Sequence, residues 1–126
     1  MEWEIRLAED GSRLTIRAWG QAELQGFLDY IRQALEHPGW KPGTPVLIDL
    51  SALDLASFPA DHLRTLATSE GVNKDRIGPS RIALLVARPV EFGMARMWEL
   101  LTQDRGMTRR VFYALDEAEA WLGGGA

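Results

Sequence analysis

The sequence predicts an α/β domain in which a mostly parallel sheet is covered by amphipathic helices. Three observations carry that expectation. Two short continuous apolar runs, Val46-Leu47-Ile48 and Ile82-Ala83-Leu84-Leu85-Val86-Ala87, have the composition of parallel strands buried on both faces. The stretches that follow such runs place apolar residues three and four apart, the stripe of an amphipathic helix. The chain opens instead on two segments that alternate apolar and polar residues, as half-buried strands do.

The opening segments form a hairpin. Trp3, Ile5 and Leu7 alternate with Glu4 and Arg6, and Leu14, Ile16 and Ala18 with Arg13, Thr15 and Arg17. Asp10-Gly11 between them suits a tight turn, because glycine adopts positive φ without a steric penalty. The first strand therefore runs antiparallel to the second. Leu24, Phe27, Leu28, Ile31 and Leu35 form the next helical stripe. Gly26 inside it lowers helix propensity and permits close packing, and His37-Pro38-Gly39 ends the helix. After the strand at 46–48, Ser57 is placed to cap a helix with Pro59 in its first turn and Leu63, Leu66 and Ala67 facing inward; Gly71 is the expected terminator. Residues 72–80 read as a polar loop anchored by Ile77. After the strand at 82–87, Val90, Met94, Met97, Trp98 and Leu101 make a further stripe, broken at Arg105-Gly106. Val111-Phe112-Tyr113 is the last strand, and Asp116 is placed to cap a short helix with Ala118, Trp121 and Leu122 inside. The order is ββαβαβαβα, with four helices.

A chain of 126 residues makes one domain with a core of its own. The domain is expected over 1–122, with a flexible tail at 123–126. A net charge of -4, with both signs interspersed, offers no basic stripe for nucleic acid. The absence of cysteine removes disulfides, thiolate metal sites and cysteine nucleophiles. No apolar run approaches the roughly 18 residues of a membrane span, and Met1-Glu2-Trp3-Glu4 lacks the charged flank and apolar run of a secretory signal. A cytoplasmic protein is expected.

The element order, the segment Val46-Leu47-Ile48-Asp49-Leu50-Ser51 and the ending Val111-Phe112-Tyr113-Ala114-Leu115-Asp116-Glu117-Ala118-Glu119-Ala120-Trp121-Leu122 carry a resemblance. Over nearly its whole length the chain resembles the SpoIIAA-like superfamily, which contains the STAS domains of anti-sigma-factor antagonists. It is most similar to the small bacterial STAS/SEC14-like branch. The resemblance implies a sheet ordered 1-2-3-4-5. It also implies a mostly non-enzymatic role, binding a partner protein or holding a small apolar ligand, and it permits a homodimer. Regulatory members carry an Asp-Ser pair at the start of the helix after the third strand, and its serine is phosphorylated. With Asp49-Leu50-Ser51 aligned, Ser57-Phe58 falls at that pair, so Phe58 stands where the hydroxyl would be and Ser57 stands at the aspartate position. A phosphoregulated switch at Ser57 remains an alternative only with a one-residue slip.

Catalytic signatures are lacking. Ser51 or Ser57 with His62 would supply parts of a hydrolytic site, but the Gly-x-Ser-x-Gly elbow is absent. Asp49, Asp54, Asp61 and His62 match no metal-ligand spacing, and no glycine-rich nucleotide loop occurs. No cofactor is expected. In an open parallel sheet, ligands meet the loops beyond the carboxyl ends of the strands, here Trp19-Gly20, Ser51 through Phe58, and Arg88-Pro89-Val90, with Asp49, Ser51 and Ser57 as the candidate strand-end residues and Phe58 beside them. Arg88 is either a surface arginine or, with the helix N-terminus behind it, an anion contact. The richest apolar segment is 90–101. Met94, Met97, Trp98 and Leu101 fit a stripe facing the core, whereas Phe92 and Leu100 fall off its centre and are interface candidates. The leading expectation is thus a non-catalytic binding module, self-associating through apolar surface.

Overall fold

The structure, a computed structural model, describes residues 1–103 and 106–123. Five strands form one sheet: β1 (Glu2–Leu7), β2 (Leu14–Gln21), β3 (Val46–Asp54), β4 (Arg81–Leu85) and β5 (Thr108–Phe112). They lie in the order β1-β2-β3-β4-β5, with β1 antiparallel to β2 and every other pair parallel. At the hairpin tip Gly11 has φ 72 and donates its N–H to the Ala8 carbonyl at 2.8 Å.

Register aligns one apolar row across the sheet. Ile5, Ile16, Ile48, Leu84 and Val111 are successive cross-strand partners. The helices α1 (Leu24–Glu36), α2 (Ala60–Val72) and α4 (Pro89–Leu101) cover this face through Phe27, Tyr30, Leu63, Leu66 and Ala95. The opposite face alternates out of phase. There Leu47, Ala83, Leu85 and Phe112 pack under Ala118 and Leu122 of α5 (Leu115–Leu122). The two-residue strand period therefore sorts the apolar residues into two cores.

Several local features differ from the sequence reading. A fifth helix, α3 (Lys74–Ile77), occupies the expected polar loop. A single turn is too short to show helical periodicity. Ile77 is buried beneath it, and Trp40 Nε1 ties the segment down by donating to the Arg76 carbonyl at 2.8 Å. Ser57 does not cap α2; Pro59 takes the N-cap position without a side-chain hydrogen bond. Helix α2 continues past Gly71 to Val72, because an interior glycine weakens a helix without ending it. Ala114, not Asp116, is the N-cap of α5; Asp116 lies inside the first turn and accepts the Glu117 N–H at 3.0 Å. Strand β3 extends to Asp54, since Leu50 and Leu53 carry its buried pattern onward. The expected break at Arg105 and the tail at 124–126 lie outside the described residues.

Gly26 serves the close packing its position suggested. A Cβ there would lie 2.6 Å from Met1 Sδ, so the bare helix surface makes room for Met1.

Candidate functional site

Helix α4 decides which of the expected residues meet. It starts where the chain leaves β4: Arg88 is the N-cap, and Pro89 in the first turn needs no N–H partner. Arg88 turns back onto its own helix. Its Nε and Nη2 donate to both carboxylate oxygens of Glu91 at 2.7 to 3.0 Å, and Nη2 lies 3.8 Å from Asp54. Glu91 is completely buried, and a buried carboxylate needs such a partner. The Glu91 hydrogen bonds and charge raise the Arg88 pKa. Arg88 is therefore engaged by two carboxylates, which compete with any external anion.

At the other end of α4, Arg109 of β5 reaches beneath the helix. It forms a buried ion pair with Glu70 of α2, lies 5.0 Å from the Trp98 ring centre and donates to the Thr102 carbonyl at 3.3 Å. Its cation sits at the carbonyl end of α4, where the helix dipole favours positive charge. Burial pushes the Arg109 guanidinium down to about 10. Sequence reasoning began the last strand at Val111 and so missed this residue. Extending the alternation backward from Val111 places Arg109 on the same inward face.

Between these two ends, α4 has two unlike sides. Glu91, Ala95 and Thr102 are buried, with Met94 and Trp98 half-buried beside them. On the far side Val90, Met97, Leu100 and Leu101 are 50, 45, 57 and 38% exposed. Met97 and Leu101 thus lie outside the stripe expected to face the core. The helix is seated further round, on Ala95, with Glu91 and Thr102 buried beside it and Trp98 packed on Arg109 of β5. Phe92 also differs from expectation: it packs against the core, and its ring stacks on Tyr113 at 4.8 Å. Leu100 is exposed.

Phe58 is core. It makes edge contacts with Phe27 and His62, with ring centres 5.2 and 5.3 Å apart. Ser57 beside it is exposed. Ser51 donates its hydroxyl to Asp49 Oδ1 at 2.5 Å, and the same oxygen accepts the Ser51 N–H at 2.9 Å. Asp49 therefore organises the strand end. His62 Nδ1 is buried without a partner among the described residues and its ring rests on Phe58, so its contacts are those of a packed ring and not of a base on a serine.

Two small apolar cavities, of about 40 and about 50 Å³, lie between this helical layer and the sheet. Phe58, Met94 and Ala95 line the first, and Val46, Glu70 and Ile82 line the second. Tyr30, Ile31 and Trp98 line both.

No protein-family model matches the chain, and no curated protein does. A solved structure is similar over 96% of this chain and 92% of its own, with a TM-score of 0.60 and 21% sequence identity. It is an uncharacterised protein of the DUF3478 family from Shewanella loihica, described as having a SpoIIAA-like fold. The fold is SpoIIAA-like. In this SpoIIAA-like domain α4 carries the exposed apolar side chains Val90, Met97, Leu100 and Leu101 together on one helix face. No helix among the described residues is long and apolar enough to cross a membrane.

Proposed function

We propose that this chain is a non-catalytic binding module that docks a protein through the outer face of α4. The exposed row Val90, Met97, Leu100 and Leu101 carries this reading. Single exposed apolar residues are ordinary, whereas several aligned on one helix face form a contact surface. The face is backed from below by buried Ala95 and by the Arg109–Trp98 contact to β5, so little ordering remains to be done on docking. Native mass spectrometry of gently purified protein tests the reading. A protein complex is expected, and Met97→Glu with Leu100→Glu should release it. A lone monomer without any bound chain, or a complex indifferent to both substitutions, would overturn it.

A second reading, a small apolar ligand beneath α4, is favoured by the two cavities that share Tyr30, Ile31 and Trp98. Their volumes suit a guest of only a few heavy atoms. Extra bound mass that disappears in Ala95→Phe, which fills the first cavity, would support it. Unchanged bound mass in that variant would exclude this site.

A further inference from the structure

Gly93 lies in the middle of the exposed row of α4, and nothing among the described residues calls for a glycine there. A glycine in a helix interior destabilises it relative to alanine. Gly26 has a local reason, the approach of Met1 Sδ. At Gly93 a Cβ would meet nothing within 4 Å, and φ is not in the left-handed region. The bare backbone therefore opens outward, as a notch in an otherwise bulky apolar surface.

The spacing of the row adds a second observation. Val90, Gly93, Met97 and Leu100 are separated by three, four and three residues, the a/d repeat of a coiled-coil seam. When two such helices pair antiparallel about a two-fold axis level with residue 95, Val90 falls opposite Leu100 and Gly93 falls opposite Met97. The smallest residue of the row then faces its long, flexible neighbour, and two-fold symmetry makes that match twice. The row is complementary in size to itself. Leu101 and half-buried Met94 extend one border of the seam. On the other border Arg96 donates to Glu99 at 2.8 Å, so its charge is countered within its own protomer.

We propose that the partner docked by this face is a second copy of the chain, in an antiparallel α4–α4 pair in which Met97 of each protomer fills the notch over Gly93 of the other. The proposal rests on the docking reading above and names its partner. Helix α4 has 13 residues and so is about 20 Å long. A seam of one helix pair is small against the usual interface of about 800 Å² per partner. The dimer is accordingly weak and dissociates in the micromolar range.

Sedimentation of the full chain across a micromolar concentration series measures that equilibrium, and the cysteine-free sequence makes its geometry accessible to disulfide trapping. A chain carrying both Val90→Cys and Leu100→Cys should form covalent dimers on oxidation. Either substitution alone should not, because in this pairing like positions are about 15 Å apart. Gly93→Leu should fill the notch and weaken the dimer at least tenfold. Gly93→Met combined with Met97→Gly restores a large residue opposite a small one and should recover much of the loss. Gly93→Ala should raise the melting temperature of the dilute protomer while weakening the dimer, a divergence that a merely structural glycine would not produce. All these positions are exposed, and circular dichroism checks that each variant is folded. Monomer throughout the series, trapping by the single-cysteine variants, or a dimer untouched by Gly93→Leu would each overturn the pairing. A monomer that instead holds a different protein, released by Met97→Glu, would overturn self-pairing and leave the docking reading standing.

Discussion

Tyr30 reaches from α1 into the wall shared by the two cavities, where its ring is buried. Burial pushes its hydroxyl above the ordinary phenol range, because the phenolate would lose its hydration. The unfolded chain ionises this tyrosine near pH 10 while the folded chain keeps the proton. The associated stability is therefore complete below about pH 10 and is lost as pH rises. Arg109 acts with the opposite sign: its folded value of about 10 lies below the ordinary guanidinium range, so the unfolded state retains that proton longer. Tyr30→Phe removes the first effect and leaves the second. Urea titrations at stepped pH should show wild type losing ground to the variant by about 1.4 kcal/mol for each pH unit above 10. A constant difference across that range would mean that the buried hydroxyl ionises normally.

At the scale of the element, α4 is tied at both ends by an arginine and a carboxylate. Arg88 and Glu91 belong to the helix start, whereas Arg109 joins the helix end to Glu70 of α2 and to β5. The second pair is buried on both sides, so cutting it leaves a charge without water or partner. Arg109→Ala should destabilise the fold by about 3 to 5 kcal/mol. The double variant Glu70→Leu, Arg109→Leu should cost far less, since two apolar side chains of similar size need no hydration. Chemical denaturation of the single and double variants decides this. A double variant as unstable as the single one would assign the effect to lost packing against Trp98.

For the whole molecule, the assembly is expected to be driven by apolar surface between two protomers of like net charge, -4 each. Salt screens that mutual repulsion and does not weaken apolar contact. Raising ionic strength from about 0.05 to about 1 M should leave the sedimentation equilibrium unchanged or shift it toward dimer. Dissociation by salt would indicate an interface held by exposed charges such as Arg96 and Glu99.

The strands and the four longer helices were legible because they follow from period: alternation for half-buried strands, continuous apolar runs for central ones, three-and-four spacing for helices. The Asp10-Gly11 turn made the first strand antiparallel, and the sheet order was what the resemblance implied. The one-turn α3 was not legible, since four residues show no period. The apolar richness of the segment 90–101 was likewise plain in the sequence, but which of its side chains face water was not. Around a helix carrying Val90, Phe92, Met94, Met97, Trp98, Leu100 and Leu101, more than one stripe is apolar enough to be the buried one. The sequence by itself determined that α4 has more apolar surface than one core contact consumes. Only the tertiary structure decided that half-buried Phe92 packs against the core and stacks on Tyr113 while Met97 and Leu101 turn out. The physical reason is that the rotation of α4 is set by long-range partners, with Arg109 brought from β5 and Glu70 from α2, and no spacing within the helix encodes them.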